Sequence, residues 1–131
     1  MGTRSTTAIL DERGIQLVKI YRQYDGYLSG HGQELADFLN SKRLINGYAN
    51  PNTTTECNGM GCLAAMLIGH LKQDRIGNIY ITTPESTEEY DYTIYPKDNR
   101  LYIKAESVYD GVVYNGLASE FDGSKIEKEV G

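Results

Sequence analysis

At 131 residues the chain has room for one hydrophobic core and not for two. Hydrophobic residues make up 40% and charged residues 24%, an ordinary globular balance that excludes wholesale disorder. The formal charge of −5 is spread along the chain, which argues against non-specific nucleic-acid binding, because that needs a basic patch.

The opening residues, MGTRSTTAIL, lack the apolar core and cleavage site of a signal peptide. The longest apolar run, Cys62 to Ile68, falls far short of the roughly 20 residues of a membrane span. Both point to a cytoplasmic protein without a membrane partner. Thr6–Leu10 and Ile15–Arg22 are rich in β-formers and flank Asp11-Glu12-Arg13-Gly14, which predicts an opening β-hairpin. A glycine-rich loop from Gln23 to Gly32 then leads into Gln33–Arg43. There Leu35, Phe38 and Leu39 stand at i, i+3 and i+4, the spacing of an amphipathic helix.

Asn46–Cys57 carries Asn-Gly, Asn-Pro and three successive threonines and reads as a long loop. The stretch Asn58-Gly59-Met60-Gly61 opens a second helix, Cys62 to about Gln73, apolar on nearly every side and therefore buried. Strands are expected at Asn78–Thr82, Glu89–Tyr95, Arg100–Ala105 and Val112–Tyr114. Turns at Pro96–Asn99 and Asp110-Gly111 make the later ones antiparallel neighbours. The whole is an α+β fold, an antiparallel sheet of about six strands with two helices inserted after the N-terminal hairpin. Residues 1–122 form the single domain and 123–131 a frayed polar tail.

Both glycine stretches precede a helix, where free N–H groups and the helix dipole attract anions. Neither is a Walker or dinucleotide motif, and glycine before a helix also serves simply as a turn. Arg4, Arg22, Asp25, Tyr27 and His31 surround the first stretch, and Gly59 and Gly61 lie in the second. If the hairpin brings Arg4 and Arg22 to the helix N-termini, the set makes a phosphate or carboxylate pocket. The plainer reading is a surface Arg22–Asp25 salt bridge.

Cys57 and Cys62, with only His31 and His70 as further ligands, do not match a zinc finger, so no metal and no cofactor is expected. Cys62 at a helix N-terminus with His31 as base would make a nucleophile, and a small core residue is the simpler reading. His70 reads as a solvent-facing cation at the helix end. The chain has 11 Tyr against 2 Phe and no Trp, and tyrosine suits binding surfaces and half-buried sheet faces. Tyr90, Tyr92 and Tyr102 are the candidates for a docking face.

Gly2-Thr3-Arg4-Ser5, Tyr21 to Tyr27, Gly30-His31-Gly32 and Asn58 to Cys62 together resemble a family of small uncharacterised bacteriophage and prophage proteins. That family has a Met-Gly-Thr-Arg start and an aromatic-Asp-Gly loop, and the likeness covers about the first half of the chain. The resemblance implies an accessory protein of the host cytoplasm that antagonises host defence by binding. Such a protein is either an anti-CRISPR-like inhibitor of a host defence protein or a sponge for an anionic nucleotide signal. A Cys/His-dependent hydrolase or transferase acting on a phosphorylated ligand is the alternative, and homo-oligomerisation stays open.

Overall fold

The computed structural model describes residues 2–47 and 51–130. Strands β1 (Ser5–Leu10) and β2 (Gln16–Arg22) form the expected hairpin, in register from Ser5↔Arg22 to Ile9↔Val18 and shifted at Leu10↔Gln16. The Asp11 carboxylate organises its turn by accepting from the amides of Arg13 and Ile15 at 2.8 and 2.9 Å. Those bonds hold the Asp11 carboxyl below its ordinary range. A π turn over Leu28–Gly32 runs into helix α1 (Gln33–Asn40), which buries Leu35, Ala36, Phe38 and Leu39. The helix stops three residues earlier than expected. The Ser41 hydroxyl donates to the Phe38 carbonyl at 2.6 Å, and Arg43 instead begins a strand.

That strand, β3 (Arg43–Ile45), pairs in parallel with β4 (Glu56–Asn58), so the ends of the expected long loop are regular structure. The middle of that loop, 48–50, lies outside the described residues. Helix α2 (Gly59–Lys72) follows directly and buries Met60, Leu63, Ala64, Leu67 and Leu71, as its composition requires. Strands β5 (Ile79–Ile81), β6 (Tyr90–Lys97), β7 (Arg100–Ser107) and β8 (Gly111–Leu117) complete the sheet. Its order is β5-β2-β1-β6-β7-β8. The class is α+β, and all neighbours in this sheet are antiparallel except β1 and β6. Those two are parallel because β6 is reached by crossover through the helices and not by a hairpin.

Ile9, Ile20, Tyr92, Ile94 and Ile103 cover the core face of the sheet and meet α1 and α2 in one cluster. Strand β1 is buried on its other face too. Lys19, opposite Ala8, donates to the Ser86 carbonyl at 2.8 Å and so holds the segment 83–89 across that side. Among the described residues no helix is long and apolar enough to cross a membrane.

Residues expected to fray instead form helix α3 (Gly123–Val130), with residue 131 outside the described range. Polarity misled the reading, because Ile126 and Gly123 are the buried points on one face of an otherwise charged helix. The helix is tied down where the Gly123 amide donates to Gln33 Oε1 and the Ser29 amide to Glu127 Oε2, each at 2.9 Å. Truncating Ile126 to Ala should therefore cost about 2–4 kcal/mol in urea unfolding, the scale of a buried Ile→Ala change. A frayed tail would give no change.

Candidate functional site

Two regions at opposite ends of the hairpin hold the residues singled out in the sequence. At the first, the π turn points His31 into the core, where its side chain is fully buried. Thr7, on the core face of β1, stands 3.0 Å from His31 Nε2. On the other side Nδ1 lies 3.3 Å from Glu34 Oε1 and 3.4 Å from Arg22 Nη1, and Arg22 itself donates to Glu34 Oε1 at 2.6 Å. A neutral ring donating from Nδ1 to Glu34 and accepting from Thr7 at Nε2 engages both nitrogens, and Arg22, which can only donate, is satisfied by Glu34 and not by the ring. Tyr92 packs edge-on against the imidazole at 5.8 Å and donates to the Gly26 carbonyl at 2.7 Å.

Burial pushes His31 below its ordinary value, outweighing the hydrogen bond that its ring donates to Glu34. Glu34 is in turn held below the ordinary carboxylate range, first by its hydrogen bond to His31 and then by the Arg22 charge. This cluster joins α1 to the first two strands through a polar contact that is buried at His31 and reaches the surface at Glu34. The two glycines beside it answer to packing. A Cβ on Gly30 would come within 2.5 Å of the Asp25 carbonyl, and one on Gly32 within 2.9 Å of the Tyr92 hydroxyl.

The second region is a cleft of about 540 Å³ at the N-terminus of α2. Gly59, Gly61, Cys62, Asn58, Lys97 and Glu12 are among its lining residues. Gly59 takes φ +81°, a left-handed conformation that favours glycine, whereas Gly61 has open space around its α-carbon. The Met60 amide donates to Glu12 Oε2 at 2.9 Å, so the exposed turn of the hairpin places a carboxylate on the free N–H groups of the helix. The Ser29 amide, in the first glycine stretch, holds the Glu127 carboxylate in the same way. Both positions read from the sequence as anion-seeking thus hold anions of the chain itself.

The single converging pocket expected from the sequence is not formed. Arg22 and His31 meet, and Asp25 contributes its carbonyl to the His31 amide at 2.7 Å. Tyr27 gives its carbonyl to Gly30, and Arg4 is exposed just beyond the Ser5–Arg22 pair. Gly59 and Gly61 lie with Glu12 at the turn end, roughly 20 Å away along the length of β2. Arg22 pairs with Glu34 and not with Asp25, and its side chain is only 14% exposed. Thr7 and Glu34 escaped notice. Glu34 stands at i+3 from His31, a spacing that was the available signal.

Cys62 and His31 do not form a catalytic pair, since Cys62 bonds to Met66 one turn on while both His31 nitrogens are engaged at the other end. His70 is exposed, as expected, with its ring 5.1 Å from Phe38. The tyrosines divide between the two faces of the sheet. Tyr92 is core and Tyr90 half-buried beside it, whereas Tyr102 stacks on Tyr95 at 5.3 Å on the outer face.

Compared with protein-family models, curated proteins and solved structures, the chain matches none.

The buried polar cluster has a pH signature. The unfolded chain protonates His31 near the ordinary 6.5, and the folded one resists until lower pH, so stability falls as pH drops below 6.5. Glu34 adds a second loss, present above its ordinary 4.5 as stabilisation and withdrawn as pH falls through its lower folded value. Thermal melts from pH 8 downward should show the first decline in the parent protein. His31→Gln should lack it, whatever its melting temperature at pH 8.

Proposed function

We infer that the chain is a non-enzymatic accessory protein of bacteriophage origin that antagonises host defence by capturing an anionic nucleotide signal in the host cytoplasm. One observation carries this reading: the cleft at the N-terminus of α2 already holds a displaceable carboxylate, that of Glu12, on the Met60 amide. An amide that draws in a side-chain carboxylate offers the same N–H to a phosphate. Glu12 sits on an exposed turn and can swing aside, Lys97 on the cleft wall supplies a cation, and Gly61 leaves the backbone open to close approach. The cleft volume lies within the range of small-molecule sites. The separation of Cys62 from His31 removes the motive for the hydrolase or transferase reading.

Docking to a host protein is supported by a different feature, the stacked Tyr95–Tyr102 pair on the outer sheet face with Lys97 Nζ 5.9 Å from the Tyr102 ring. Paired variants separate the two. Gly61→Val places a branched side chain in the mouth of the cleft, where no atom lies within 4 Å of the added Cβ, so the fold should survive. Calorimetry with cyclic nucleotides and ADP-ribose should show binding weakened by Gly61→Val. Lys97→Ala should cost about 1–3 kcal/mol, the scale of a charge-assisted contact. Glu12→Gln should tighten binding by removing the competing charge. If Gly61→Val leaves protection of phage undiminished while Tyr102→Ala abolishes it, the sheet face is the functional surface.

A further inference from the structure

Beneath the same cleft lies a group of side chains that the nucleotide reading does not use. Cys57 is the middle residue of β4 and fully buried. Cys62 stands in the first turn of α2, and Met66 one turn further along on the same face. Strand and helix join without a loop, which folds the two thiols onto the thioether. Cys57 Sγ lies 3.5 Å from Met66 Sδ and Cys62 Sγ 3.8 Å from it, and the two thiols interact with each other. The sequence reading counted thiols and imidazoles as metal ligands and passed over the methionine.

We propose that Cys57, Cys62 and Met66 form a three-sulfur site for a soft monovalent cation, Cu(I). A metal bound to three sulfurs at about 2.3 Å in one plane needs sulfur–sulfur separations of about 4 Å, so the observed ones must open by only a few tenths of an ångström. Thiolate and thioether donors together select Cu(I) over harder ions. Among the described residues no third His, Cys, Asp or Glu joins the group, which leaves zinc without its tetrahedral set. Binding releases one proton from each thiol to solvent and changes no oxidation state. Burial pushes the Cys57 thiol up, with the Lys42 charge a smaller opposing influence, so it is the metal that displaces the proton, leaving two thiolates and one Cu(I) with a net negative charge. Half-buried Cys62 lines the cleft and gives the metal its way in.

The test is anaerobic titration of the reduced full chain with Cu(I) against a chromophoric Cu(I) chelator, with zinc as a parallel probe. The protein should withdraw a stoichiometric amount of Cu(I), with a thiolate-to-copper absorption band in the ultraviolet, and should leave zinc in solution. Cys62→Ser, at a half-buried position, should lose both the stoichiometric uptake and the band. Met66→Leu, close to the thioether in volume, should hold Cu(I) more weakly while retaining the fold by circular dichroism. The proposal is overturned if the parent protein does not compete for Cu(I), or if folded Cys62→Ser and Met66→Leu bind it as the parent does. Glu12→Gln separates the two readings, because it leaves the cleft open and touches no sulfur: altered nucleotide binding with Cu(I) uptake unchanged marks two independent sites.

Discussion

The parallel ladder between β1 and β6, running from Ser5↔Tyr90 to Ile9↔Ile94, joins the hairpin half of the sheet to the β6–β7–β8 meander. Its central strand is covered on both faces, and the polar residues there are paired inside the protein. Thr6 Oγ1 donates to Asp91 Oδ1 at 2.5 Å across the ladder, and the Glu88 amide donates to the same oxygen at 3.0 Å. Thr7 on the opposite face reaches His31. A buried hydroxyl without a partner costs about 1–3 kcal/mol, so these bonds decide which neighbours β1 accepts. The hydroxyl of Ser5 is the exception, buried without a hydrogen-bond partner.

Because β1 is fixed on both sides, the two polar regions are held apart at the ends of the hairpin. At one end Arg22, His31 and Glu34 pair with one another, with His31 packed against Tyr92. The other is open, with Glu12 on an exposed turn bridging to α2 across a cleft. The first end keeps its charges paired with one another, which suits a joint between helix and sheet. The open end keeps its charges wet and exchangeable, which suits recognition. The functional proposal rests on that contrast.

Element type was readable wherever periodicity was strong: the hairpin, α2 and the strands of the meander follow from alternation, turns and apolar runs. The parallel β1–β6 pair was not, because partner choice between distant strands leaves no local mark. Helix α3 was hidden because a few contacts, those of Ile126 and Glu127, dock a helix that is otherwise charged. At the sites, the Ser29 and Met60 amides hold carboxylates of the chain itself. What the sequence could not give was the identity of the anions, Glu127 and Glu12, which are 98 and 48 residues from the amides they meet. Arg22 and His31 were legible as members of one site, while their common partner Glu34 was masked by its place on an ordinary amphipathic helix.

The long separation between β1 and β6 also shapes how the chain reaches this state. Thr6 and Asp91 are 85 positions apart, so the first strand emerges during synthesis long before its parallel neighbour exists. At a ribosomal rate of about 5–20 residues per second, that is an interval of several seconds. Through it the nascent hairpin carries an unpaired edge with Ala8 and Ile9 uncovered, a template for mispairing with another chain. High contact order of this kind slows folding and lengthens exposure to aggregation. Chaperone cover would thus matter most during the interval in which the first strand waits for its partner.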